Sequence, residues 1–363
     1  MDLVPFFDSY GEAGTALLGG AVLGAIFGFF AQRTAFCTRS AVLDFTRRTG
    51  STAFATWLAG FAVAIFGVQL LIWSGRVDVL ETRFFSTAQS LSGALIGGLV
   101  FGIGMVLARG CVSRLLVLGA SGNLRAVFAI LLIAATGYAT YTGILVPLRD
   151  AVGGLMSTQA TGGNDILALI GQPQVIGVDI GAVLFAASLI VAFRAKISAL
   201  RYVGGALVGA TIVGGWYFTY EMSIQVFEPV QAESLSFIRP LATSIVYATE
   251  SDALYGFDQG ILAGILVGAF VAALLFRQFR IATFSEPGTP SVLRYAIGAV
   301  LMGFGGILAV GCTIGAGFTG GSVLALSSVI GLASMIAGAA ITDLVLQSIE
   351  NGRLPEARLQ PGE

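Results

Sequence analysis

The chain has 363 residues, 56% hydrophobic and only 11% charged, with 50 glycines, three cysteines, no histidine and a formal charge of −1. A soluble domain runs at roughly 25% charged residues and roughly 7% glycine, and so few charges cannot cover a water-facing exterior, which excludes a soluble globular protein. The near-neutral charge gives no surface for nucleic acid, and the missing histidine removes the commonest general base and metal ligand.

What remains is an all-α integral membrane protein. Apolar runs of about the 20 residues that cross a bilayer lie at 14–31, 52–73, 90–108, 126–146, 175–193, 202–219, 258–277, 294–310 and 326–345. They predict nine spans. Asp2, Asp8 and Glu12 precede the first run where a cleaved leader would carry basic residues, so that run is expected to be a retained helix. With the N-terminus outside, 15 of the 19 basic residues fall in inner segments, and only Arg76, Arg83, Arg149 and Arg239 fall outside. Lysine and arginine collect on the cytoplasmic face, so the expected orientation in a bacterial inner membrane is N-terminus out and C-terminus in. An acidic loop with Glu221, Glu228, Glu233, Glu250, Asp252 and Asp258 then lies outside. Asp179 and Asp343 are the acids nearest span interiors, and both are expected toward span ends.

The chain also resembles itself. Residues 96–121 and 297–322 share 10 identical positions of 26, among them Gly110/Gly311, Cys111/Cys312 and Ser121/Ser322. A weaker match pairs GGAVLGA (19–25) with GGALVGA (204–210) and sets Met222 opposite Cys37. These matches divide the chain into a first repeat (1–150), a joining span (151–200), a second repeat (201–345) and a cytoplasmic tail (346–363). One joining span between two four-span units inverts the second unit, and inverted repeats are a mark of transporters with a site near the midplane.

After each cysteine comes a stretch too long for a turn and too apolar for a solvated loop: CTRSAVLDFTRR, CVSRLLVLGASGNLR and CTIGAGFTGGSVLALSS. Each is expected to be a re-entrant half-helix, tolerated at membrane depth only where protein or a water-filled cavity satisfies its backbone. The N-terminal N–H groups of such helices attract anions. Cys37, Cys111 and Cys312 stand at those N-termini, with Gly28, Gly102 and Gly303 nine residues before them. The expectation is an anion path lined by thiols that needs neither a metal nor a cofactor. Gly110, Gly311, Ser113, Asn123, Thr313 and Ser322 are candidate supports, the polar ones as hydrogen-bond partners or helix caps. Arg109, with Arg39 and Arg114, is a candidate for an anion-attracting inner vestibule.

The segments GFFAQRTAFCTRSAVLDF, GMVLARGCVSRLLVLGASGNLR and GGILAVGCTIGAGFTGGSVLALSS resemble the three cysteine signatures of the YeeE/YedE family of sulfur transporters. The likeness runs from about residue 14 to 345. It implies uptake of thiosulfate or a related sulfur or selenium species, with Cys37, Cys111 and Cys312 along the path. It also implies a cytoplasmic sulfur-carrier partner similar to TusA. The inverted topology suggests the order Cys312, Cys111, Cys37 from outside to inside. Two alternatives stay open at this level: a channel or transporter for another species such as sulfite, and a membrane sulfurtransferase working through a cysteine persulfide. The second lacks an evident base. No GxxxxGK[ST] run is present for nucleotide binding.

Overall fold

The computed structural model describes residues 2–226, 231–249 and 255–357, and their regular structure is helical apart from isolated bridges. In chain order the helices are α1 (Val4–Thr34), α2 (Thr38–Thr46), α3 (Thr52–Trp73), α4 (Leu91–Leu107), α5 (Val112–Ala120), α6 (Leu124–Tyr141) and the short α7 (Val146–Gly153) and α8 (Ile166–Leu169). Then follow α9 (Val175–Arg194), α10 (Ala199–Ser223), α11 (Ile238–Thr249), α12 (Phe257–Leu275), α13 (Val292–Leu308), a π-helix (Thr313–Gly320) and α14 (Leu326–Ala357). Helix satisfies every backbone group within the segment, which lipid demands. Ser90, Asn123, Ser198 and Ser291 cap α4, α6, α10 and α13 by accepting first-turn N–H bonds.

Eight segments among the described residues are long and apolar enough to cross a membrane. The ninth expected span, 202–219, folds as the 25-residue α10, whose glycines and aromatics leave it less apolar than the others. The other departures are at ends and in a loop. α1 starts at Val4 and turns at Gly11, which has φ 70°. The expected outer acidic loop contains α11, too short to register as a span; Glu228, Glu250 and Asp252 of that loop lie outside the described residues. Asp343 lies toward the C-terminal end of its span, as expected, but its side chain is covered there and takes a two-pronged bond from the half-exposed Arg47, at 2.9 Å to Nε and 2.5 Å to Nη2. Met222 lies inside α10, and the short helix that follows α10 begins only at Ile238. The glycine run that aligned 19–25 with 204–210 therefore matched the spans and missed the break.

Packing is set by small residues. A Cβ on Gly20, Gly24 or Gly28 of α1 would strike the α12 backbone at Phe257, Ile261 or Ile265, and one on Gly260, Gly264 or Gly268 would strike α1 at Leu17, Ala21 or Ala25. Backbone-to-backbone approach of this kind is how helices gain contact area in lipid. The packed pairs share a pattern: α1 lies on α12 as α10 lies on α3, and α4 lies on α14 as α13 lies on α6. Likewise α1 meets α10 and α4 meets α13. Exchanging α1–α6 with α10–α14 in order, with the π-helix in the place of α5, maps this set onto itself.

Candidate thiol site at three helix breaks

Among the described residues, five long helices close with a left-handed non-glycine residue and a bond back across the last turn, among them α9 at Lys196 and α12 at Arg277, and three of the five lead into a cysteine. α1, α4 and α13 each close with a left-handed non-glycine residue: Ala35 (φ 54°), Arg109 (φ 61°) and Val310 (φ 59°). The next residue donates back across the last turn, Phe36 to Ala31 at 3.0 Å, Gly110 to Met105 at 3.1 Å and Gly311 to Gly306 at 2.9 Å. This is the Schellman closure, usually made with glycine. A left-handed conformation costs an L-residue about 1–2 kcal/mol, and a β-branched one such as Val310 is a true outlier. Strain of this sort persists only where the surroundings impose it.

A cysteine follows each closure in extended conformation and caps the next helix: Cys37 for α2, Cys111 for α5 and Cys312 for the π-helix. Their carbonyls accept from Ala41, Leu115 and Ala316 at 3.1, 2.9 and 2.8 Å. Gly311 is required by space, since a Cβ there would fall 2.5 Å from the Ala316 nitrogen. All three thiols are free and buried.

The thiols divide into a pair and a single. Cys37 Sγ and Cys111 Sγ are 3.9 Å apart, and Ser113 Oγ is 3.3 Å from the Cys111 sulfur. The backbone N–H of Ser40 faces the Cys37 sulfur and that of Arg114 faces the Cys111 sulfur, so the first turns of α2 and α5 converge on the pair. Trp57 Nε1 donates to Thr38 Oγ1 at 3.0 Å and fixes the start of α2. Phe36, Trp57 and Phe61 surround the Phe318 ring of the π-helix at centroid distances of 5.8, 5.4 and 5.3 Å.

Cys312 stands apart from the pair. The N–H groups of Gly315 and Ile314 in the π-helix, and of Phe237 and Ile238 at the start of α11, face its sulfur. Two helix N-termini therefore meet there as well, with Phe237 preceding α11 as Cys37 precedes α2. Beside this cradle are two buried hydroxyls without a hydrogen-bond partner, Thr313 Oγ1 (0% exposed) and Ser236 Oγ (2% exposed). Ser236 Oγ occupies the space that a Cβ on Gly315 would take. An unpaired buried hydroxyl costs about 1–3 kcal/mol, which makes these two oxygens the unspent hydrogen-bonding capacity beside Cys312.

Arginines flank both sides. Arg114 lies beside the pair, with Nη1 at 3.5 Å from the Ala31 carbonyl and 3.4 Å from Gln32 Oε1, longer than firm hydrogen bonds. It lines a cavity of about 660 Å³ shared with Arg33, Arg125, Arg201 and Arg280. The lone acid there, Glu286, is held by Arg125 and Arg280, each at 3.1 Å. On the other side Arg239 binds Glu233 and Asp258, and Arg83 lies over the Phe84 ring at 5.0 Å. Burial, with the nearby Arg239 charge, lowers the pKa of Arg83.

The other expected residues scatter. Ser113 and Thr313 touch the thiol positions, and Gly110 and Gly311 make the turns before them. Asn123 caps α6 through Oδ1 and lines the basic cavity. Ser322 donates to the Thr319 carbonyl at 2.8 Å, and its own carbonyl accepts from Gln69 at 2.7 Å, so its role is local. Arg109 is exposed because the left-handed turn points it out of the bundle. Sequence reasoning passed over Ser236 and Phe237, which follow no cysteine; the only available signal was the short polar-apolar run SLSFIRP before α11.

A match to the sulphur-transport family extends over residues 33–341. The chain is 27% identical over 329 residues to the thiosulfate transporter TsuA of Escherichia coli strain K12, spanning 83% of this chain and 86% of that protein. It is 28% identical over 333 residues to the thiosulfate transporter TsuA of Spirochaeta thermophila, spanning 83% of this chain and 90% of that protein. The matched stretch contains all three helix breaks, and the chain belongs to the sulphur-transport family.

Proposed function

We propose that the protein takes up thiosulfate across the bacterial inner membrane along Cys312, Cys111 and Cys37, in two inverted copies of one four-span unit. The observation that carries this reading is the threefold helix break, which sets every thiol of the chain at the start of a half-helix. The self-mapping of the packed helix pairs supports the inverted copies.

Thiosulfate is a dianion with oxygens at one end and a soft sulfur at the other. A thiol is a weak donor and weak acceptor. Weak contacts at successive stations suit conduction, because an ion must bind well enough to enter and loosely enough to leave. At the outer station the bare hydroxyls of Ser236 and Thr313 receive the oxygens while Cys312 meets the terminal sulfur. At the paired thiols Cys111 passes that sulfur to Cys37 across their 3.9 Å contact. Arg114 then draws the anion into the basic cavity on the cytoplasmic side. An arginine between the stations would hold a dianion through strong charge-assisted bonds; Arg114 lies beside the pair, on the side of the basic cavity, and the other cavity arginines lie beyond it. A TusA-like sulfur carrier would collect the cargo at that cavity.

The test is uptake of labelled thiosulfate in proteoliposomes and in a strain that depends on this chain for thiosulfate growth. Cys37→Ala, Cys111→Ala and Cys312→Ala are each expected to reach the membrane and lose uptake. Normal uptake by Cys111→Ala would sink the path, and competition by excess sulfite equal to that by thiosulfate would reassign the cargo.

A further inference from the structure

Cys37 and Cys111 are the one place among the described residues where two thiols touch. Their sulfurs are 3.9 Å apart, and a disulfide needs about 2.05 Å. Movement of about 1 Å by each sulfur closes the gap, within the arc of rotation about Cα–Cβ. Both side chains hang from extended residues that precede a helix, where the turn below does not crowd them. A sulfur attacks an S–S bond as the thiolate, and the N–H groups of Ser40 and Arg114 and the Arg114 guanidinium all face this pair. Ser113 Oγ, 3.3 Å from the Cys111 sulfur, is placed to exchange its proton.

We propose that Cys37 and Cys111 form a dithiol–disulfide couple that reduces polythionates, anions in which two sulfur oxyanions are joined through an S–S bond. The proposal rests on the reading of this path as one for thiosulfate, since tetrathionate is two thiosulfates joined at their terminal sulfurs. One cysteine thiolate attacks a central sulfur of tetrathionate; the central S–S bond breaks and one thiosulfate leaves with the electron pair. The attacking cysteine now carries an S–S–SO3 group. The second thiolate attacks the cysteine sulfur of this adduct, a second thiosulfate leaves, and the Cys37–Cys111 disulfide remains. Two thiols and one tetrathionate give one disulfide, two thiosulfates and two protons. The two electrons come from the thiols and end on the thiosulfates. The product is the cargo, and the disulfide removes two stations from its path, so the step both salvages the oxidised dimer and closes the route until a reductant reopens it.

The full chain in liposomes is exposed to tetrathionate, quenched with an alkylating agent, digested and weighed by mass spectrometry, with released thiosulfate counted. The expected result is a Cys37–Cys111 cross-linked peptide, two thiosulfates per chain, and uptake that falls to background and returns with dithiothreitol. Cys37→Ser and Cys111→Ser should each release one thiosulfate and keep the S2O3 adduct on the remaining member of the pair. Adducts without a cross-link in the unmutated chain would overturn the proposal. Diamide, a neutral oxidant, is run in parallel. A cross-link with diamide but none with tetrathionate overturns the polythionate activity, and no cross-link with either overturns the couple. Thiosulfate uptake by untreated liposomes is read separately: cross-linking and thiosulfate release without such uptake would fault the transport reading and leave the couple standing.

Discussion

Thr313→Val separates a hydroxyl built for cargo from one that merely belongs to the fold. Valine keeps the size and branching of threonine and deletes only Oγ1, which is fully buried and has no partner. In the empty protein that oxygen is a desolvated group with nothing returned for it, so its removal should raise stability by about 1–3 kcal/mol. On the proposed path it donates to a charged oxygen of the cargo, a bond worth about 1.5–3 kcal/mol, and its loss should raise the KM for thiosulfate about 10- to 150-fold. The two effects have opposite signs, which a structural threonine would not give. Thermal unfolding in detergent reads the first and initial uptake rates in proteoliposomes read the second. Ser236→Ala should repeat the pattern, with a smaller gain in stability because alanine leaves a small void. A Thr313→Val protein with unchanged KM, or one that is less stable and still transports normally, would refute the reasoning.

Three other outcomes follow from the geometry. Asp343→Asn removes the carboxylate that ties Arg47, at the end of α2, to α14, and should cost about 2–3 kcal/mol in thermal or denaturant unfolding. The lower end applies because Arg47 is 37% exposed and keeps water; no loss would show that the pair does not anchor α2. Val310→Gly relieves a left-handed β-branched residue and should gain about 0.5–1 kcal/mol after the extra entropy of glycine in the unfolded chain is counted. A drop in melting temperature would mean that the closure before Cys312 is not strained. A reporter fused after Glu363 should be active only in the cytoplasm, and periplasmic activity would overturn the proposed orientation.

Much of this arrangement was legible because lipid leaves the backbone few choices. Helices were the only spanning structure open to so apolar a chain, whereas the seating of Gly20, Gly24 and Gly28 against the α12 backbone is a tertiary fact that only the fold supplies. The breaks at Cys37, Cys111 and Cys312 were visible because an apolar run stopped and a glycine-rich or polar one began. α11 was not visible. Its 12 residues are too short for a span signal, and it carries no cysteine at its start to mark the break. The contact between Cys37 and Cys111 joins residues 74 apart in sequence, and only the meeting of the α2 and α5 N-termini creates it. Arg109 misled for a local reason: next to a cysteine in sequence, it occupies the left-handed residue of the turn and points away.

The two places where helix N-termini meet around a cysteine are alike in backbone and unlike in chemistry, and on the proposed path the difference bears on direction. Where Cys37 and Cys111 meet, both positions hold thiols, and a basic cavity with one already paired acid lies beyond. At the other meeting point one position is Cys312, the other is Phe237, and the oxygens on offer are two bare hydroxyls. A neutral, partly unsatisfied station favours capture of a dianion from dilute solution with little retention. A pair of soft sulfurs followed by Arg33, Arg114 and Arg201, which have no acidic partner in the cavity, favours its departure from the second station. Such asymmetry changes how readily each face saturates, yet it leaves the equilibrium between the two sides untouched. On the proposed path, net inward flow along the thiols therefore depends on removal of the anion once it reaches Arg114 and the cavity. If the proposed path and orientation hold, such stations match a cytoplasmic reaction that consumes a sulfur–sulfur bonded anion as it arrives.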